Sequence, residues 1–60
     1  MRRVVEALDD QELVARYIVE LSDAATADDF EREAMIYAME DGISLARIDR
    51  WVVKGAGAND

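Results

Sequence analysis

Sixty residues without a single cysteine, histidine or proline leave no disulfide framework and no imidazole or thiolate to hold a metal. A chain this short buries only about 60% of the surface its unfolded form exposes, so self-association or a larger partner is the expected extra source of stability. Fourteen acidic side chains oppose seven basic ones for a net charge of −7, unevenly spread: from Val5 to Asp41 twelve acids meet only Arg16 and Arg32, a balance of −10, whereas from Gly42 onward Arg47, Arg50 and Lys54 outnumber Asp49 and Asp60 by one.

Met1-Arg2-Arg3 is a basic start, but Glu6, Asp9 and Asp10 break the apolar run behind it. Neither a secretory segment nor a membrane span can be drawn there, and a cytoplasmic protein is expected. A first helix is expected over about Asp10 to Asp23, where Leu13, Val14, Tyr17, Ile18 and Leu21 recur at helical spacing. Asp9 would cap it, with Glu12 closing a capping box. Val4, Val5 and Leu8 fall out of phase with that stripe, as a separate turn or as an extension facing a partner.

After a short connection, Thr26 is the expected cap of a second helix, with Asp28, Asp29 and Glu31 in the first turn against the positive end of its dipole. Phe30, Ala34, Tyr37 and Ala38 share one face of it, and the run from Ala34 to Met39 is apolar on more than one side. Gly42 ends this helix in the left-handed conformation, with Ile43 folding back as in a Schellman motif. Ser44 then caps a third helix, about Leu45 to Lys54, with Leu45, Ile48 and Val52 inward. The fold expected is therefore all-α: a small three-helix bundle over residues 1–54 with a helix-turn-helix corner between helices 2 and 3, and a flexible tail over 55–60.

The stretch from Ala34 to Val53 resembles the helix-turn-helix element of small phage and bacterial repressors. Ala38 is the small residue four before the turn glycine, Gly42 makes the turn, and Ile43, Ile48 and Trp51 fill the apolar places after it. Asp41 departs from the pattern, which is usually apolar there. The resemblance covers about a third of the chain, and it aligns in a second way, as a degenerate or truncated domain whose recognition helix would come after Val53. On the first alignment the groove-facing positions implied are Ser44, Leu45, Ala46, Asp49 and Arg50.

No constellation for catalysis is visible. The serines, Ser22 and Ser44, sit where helix punctuation explains them, the carboxylate pairs lie on an exposed helix start, and a 60-residue bundle is not expected to hold a cleft of about 300 Å³ or more. The expectation is a non-enzyme with no cofactor, no metal, no small-molecule substrate and no membrane. Two functions are compatible with this inventory. In the first, a small acidic regulatory protein acts through protein contacts, as a homodimer or by capturing a basic surface with Asp28, Asp29, Glu31 and Glu33. In the second, a helix-turn-helix regulator binds DNA through Ser44, Arg47, Arg50 and Lys54, the three cations sharing one helical face. Charge favours the first, the motif the second. Trp51 is either core or an interface anchor, and Met35, Ile36 and Met39 are either a core wall or a dimer surface.

Overall fold

The computed structural model describes residues 1–55 and contains one α-helix where three were expected. Strands β1 (Arg2–Asp9) and β2 (Glu12–Glu20) form a hairpin, helix α1 (Ala27–Glu40) comes next, and a 3-10 turn at Leu45–Arg47 leads into β3 (Arg50–Gly55). The sheet is antiparallel throughout with order β2-β1-β3, so β2 and β3 run parallel to each other on either side of β1. Strand β2, helix and β3 thus make a split βαβ crossover with β1 inserted between its strands.

The all-α expectation fails first at residues 12–20. Val14, Tyr17, Ile18 and Val19 are β-branched or aromatic and suit a pleated surface better than a helix. Asp9, paired with Glu12, is not a helix cap but the last residue before a two-residue turn in which Asp10 (φ 53°) and Gln11 (φ 71°) are both left-handed. That is the turn geometry whose twist matches a hairpin. The register is Val5 with Tyr17 and Ala7 with Ala15, then Leu8 with Leu13, which leaves Val14 as the extra residue of a bulge. Val4, Val5 and Leu8 belong to β1, neither a separate turn nor a helix extension.

A left-handed Gln11 costs about 1–2 kcal/mol that glycine does not incur, partly offset by glycine's greater freedom when unfolded. Gln11→Gly is expected to stabilise the fold by about 0.5–1 kcal/mol, read as a raised midpoint in urea.

Helix α1 matches the second expected helix. Thr26 caps it with the Asp29 N–H donating to its Oγ1 at 3.3 Å, and the Asp29 carboxylate accepts from the Thr26 N–H at 2.9 Å, a complete capping box. At the other end the Ile43 N–H donates to Ala38 O at 2.9 Å and the Gly42 N–H to Met39 O at 3.0 Å, with Gly42 at φ 81°. The Schellman turn is therefore present. The third expected helix is not. Ser44 opens only one 3-10 turn, and Ile48 is already extended at φ −96°, ψ 119°. Trp51-Val52-Val53 continues as strand against Ala7, Glu6 and Val5. The helix-turn-helix corner is thereby excluded, because its second helix is replaced by β3, and Gly55, assigned to the tail, pairs with Arg3. The rest of the expected tail, 56–60, lies outside the described residues.

One face of the sheet is covered by α1. Val5, Ala7 and Val19 from the strands, Phe30, Ala34 and Ala38 from the helix, and Ile48 are buried, and Tyr17, Tyr37, Trp51 and Val53 pack around them. Ala34 and Ala38 let the helix backbone approach the sheet, and Phe30 fills the space at its N-terminal end. Tyr17 and Tyr37 meet edge to face at 5.9 Å, and the Arg3 guanidinium lies 5.7 Å from the centre of the Phe30 ring. The Tyr17 hydroxyl donates to Asp41 at 2.9 Å. Burial, then that hydrogen bond and the Asp41 charge, raise the Tyr17 pKa.

Candidate functional site

Among the described residues, no element lies on the opposite face of the sheet. Strand alternation sends Arg2, Val4, Glu6 and Leu8 of β1 to that side, together with Leu13, Arg16, Ile18 and Glu20 of β2 and Arg50, Val52 and Lys54 of β3. Antiparallel sheets often leave one face to water, but such a face is ordinarily polar. Here five of the eleven positions are aliphatic, with Ile18 62% and Leu13 47% exposed.

At the centre of this face the Glu6 carboxylate lies 3.1 Å from Lys54 Nζ on β3 and 3.5 Å from Arg16 Nε on β2. One carboxylate thus ties all three strands side by side. Both cations are well exposed, so each pair adds little to stability and mainly fixes where the charges stand. Arg2 and Arg50 add two more cations, opposed by Glu20 alone. Four of the chain's seven basic residues therefore stand around five aliphatics and the central Glu6, on a molecule whose net charge is −7.

The far side of the molecule is the reverse. Residues 21–41 carry Asp23, Asp28, Asp29, Glu31, Glu33, Glu40 and Asp41 against Arg32. The outward side of α1 exposes Ile36 (41%) and Met39 (56%), with Met35 half-buried beside them. Asp28 and Glu31 share a shallow depression with Arg32 and Met35, while Asp29 and Glu33 border a groove with Leu21, Ala25 and Ile36. The four acids expected to act as one face are thus split into pairs on either side of an exposed apolar stripe.

Asp29 is moreover engaged in the helix cap and lies 3.4 Å from Arg32. The Thr26 N–H hydrogen bond is the main cause of its lowered pKa. With the folded-state pKa below the unfolded one, its contribution to stability is present above the ordinary carboxylate range and is lost as pH falls through the lowered value.

The residues expected to contact DNA do not come together. Arg47 and Ser44 belong to the 3-10 turn, while Arg50 and Lys54 lie on β3, so the shared helical face does not exist. Trp51 faces the other way and packs, half-buried, against Ala7 and the core. The groove beside α1 encloses about 390 Å³ and a second hollow, bordered by Leu8, Asp10, Gln11, Asp49 and Arg50, about 300 Å³. Clefts of the size thought too large for this chain therefore occur, as grooves open to solvent. Among the described residues no three carboxylates are grouped to hold a metal ion, and no helix is long and apolar enough to cross a membrane.

Sequence reasoning overlooks the surface formed by Val4, Leu8, Leu13, Ile18 and Val52 with Arg2 and Arg16. The signal that could have found it is the β-branched and aromatic content of residues 14–19, just after the polar turn at Asp10-Gln11, and of residues 51–53. Comparison with protein-family profiles, curated proteins and solved structures found no match.

Proposed function

We propose that this chain is a small non-enzymatic regulatory protein that acts through protein–protein contacts, with the bare sheet face as its docking surface. The observation that carries the reading is the aliphatic group Val4, Leu8, Leu13, Ile18 and Val52 standing on a face that no element among the described residues covers. Apolar patches rimmed by charge are what protein interfaces offer. A reducing, cytoplasmic setting is part of the proposal and suits a cysteine-free chain.

The acidic side is a second contact region. It attracts basic surfaces at long range, and its split arrangement suits a partner that lies along the helix better than one gripped by four adjacent carboxylates.

The test is a photo-crosslinking amino acid placed at position 18 on the sheet face and, separately, at Arg47 on the 3-10 turn. Nuclease-resistant protein adducts are expected in cells from position 18 and not from position 47. Equal adduct yields, or adducts that disappear with nuclease, would contradict the reading.

A further inference from the structure

Two exposed apolar patches lie on opposite sides of this molecule, and their rims carry opposite charge. The sheet face sets Val4, Leu8, Leu13, Ile18 and Val52 among Arg2, Arg16, Arg50 and Lys54. The outer side of α1 sets Met35, Ile36 and Met39 among Asp28, Glu31, Glu33 and Glu40, with Arg32 between them. We propose that the occupant of the sheet face is α1 of a second copy of this chain, so that copies stack head to tail. This rests on the reading of the sheet face as a docking surface and names its partner.

The fit in size is already displayed within one molecule. Three strands spaced about 4.8 Å apart present a face roughly one helix wide, and fourteen helical residues span about 21 Å. The inner face shows that one α1 covers this sheet. A second α1 on the outer face would give each sheet the helix-on-both-sides layering common in α/β domains.

Charge selects this arrangement over the alternatives. Sheet against sheet would bring four cations and two carboxylates of one copy onto the same set in the other, a net +2 facing +2. Helix on sheet brings four acids and Arg32, a net −3, to those cations. Nucleic acid would find cations but no stacking surface, because Tyr17, Phe30, Tyr37 and Trp51 all belong to the inner side of the sheet.

The interface is heterologous: each copy uses one patch and leaves the other free. Growth continues beyond a dimer unless the rotation closes a ring.

Complementation between two blocked variants of the full chain tests this. Ile18→Glu places an acid on the sheet face and Met39→Lys a cation on the helix, both at well-exposed positions outside the core. Sedimentation of the unmodified chain should show mass rising past the dimer with concentration. Each variant alone should remain monomeric, its association weakened about tenfold or more, equivalent to at least about 1.4 kcal/mol. Their equimolar mixture should form a one-to-one dimer and stop there, because one helix and one sheet face remain intact.

A mixture that stays monomeric, or an unmodified chain that stays monomeric at several hundred micromolar, overturns the head-to-tail stack. Self-association of Met39→Lys while Ile18→Glu stays monomeric also overturns it, in favour of sheet-to-sheet pairing, and leaves the docking role of the sheet face standing. Association of Ile18→Glu equal to that of the unmodified chain removes that role as well. If circular dichroism shows either variant unfolded, Leu13→Glu and Ile36→Lys take their places with the same expectations.

Discussion

Phe30→Ala is expected to leave the chain largely unfolded at room temperature. Phe30 has no exposed surface and is the largest of the fully buried side chains, seated among Val5, Val19 and Ala34. Replacing a buried phenylalanine by alanine costs about 3–5 kcal/mol, through lost transfer energy and the cavity left behind. The neighbours cannot close that cavity. Ala34 is already minimal, and Val5 and Val19 are held by the strand ladder. A core of this size supplies about 3–5 kcal/mol in all, so one substitution removes nearly the whole margin. Urea denaturation followed by circular dichroism measures it, with Met39→Ala as the comparison. Met39 is 56% exposed, and its truncation should change stability by about 0.5 kcal/mol or less. A folded Phe30→Ala with a midpoint near that of the unmodified chain would mean that the helix does not seal the sheet at this point.

The second large effect separates two adjacent residues. Val19→Glu is expected to unfold the chain, whereas Ile18→Glu leaves it folded. Val19 pairs with Arg3 and faces α1 with no exposed surface. A carboxylate there loses its water and displaces core packing with only the half-buried Arg3 across the strand in reach, at a cost of about 2–4 kcal/mol. Ile18 pairs with Val4 on the bare face and is 62% exposed. A helix over the same residues reverses the order, since Ile18 lies within its apolar stripe and Val19 outside it. Melting curves of the two variants decide between the arrangements. Equal destabilisation fits neither.

The same residues explain how much of the molecule is legible in its sequence. Helix α1 is, from the Thr26 cap to the Gly42 turn, because both signals are local: a side-chain oxygen at the right distance from Asp29 and a glycine where the backbone turns left-handed. The strands are hidden by their own two-sidedness. A half-buried strand declares itself by alternation, but β1 places Val4 and Leu8 outward beside Val5 and Ala7 inward, and β3 reads Trp51-Val52-Val53 without a break. In β2, the bulge at Val14 shifts the phase once more, so Leu13, Val14, Tyr17, Ile18 and Leu21 fall by coincidence at helical intervals. The hairpin turn carries Asp-Gln where asparagine or glycine would have signalled it.

The reason the alternation fails is also the reason a docking surface is proposed. Outward aliphatics on all three strands erase the period of two and at the same time form an apolar face that no element among the described residues covers. Of the residues that the sequence marks for binding, Met35 and Met39 stand on the outer side of α1, where the head-to-tail stack is proposed. Arg50 and Lys54 pass from a helix that does not exist to the rim of the sheet face. Trp51 lies on the helix-covered side of the sheet, half-buried against the core. Arg2 and Arg16 enter because cross-strand register, which no local pattern encodes, places them beside Ile18 and Glu6.

Everything proposed for the sheet face depends on residues 12–20 being a strand paired with β1. The most direct measurement is the NMR proton cross-relaxation pattern of the isotope-labelled chain over that segment. Expected are backbone contacts across the strands linking Val5 with Tyr17 and with Val53, together with strand-type shifts from Glu12 to Glu20. Sequential contacts three residues apart running from Leu13 to Ile18, with no cross-strand contact to Val5, would show a helix instead and remove the bare face altogether.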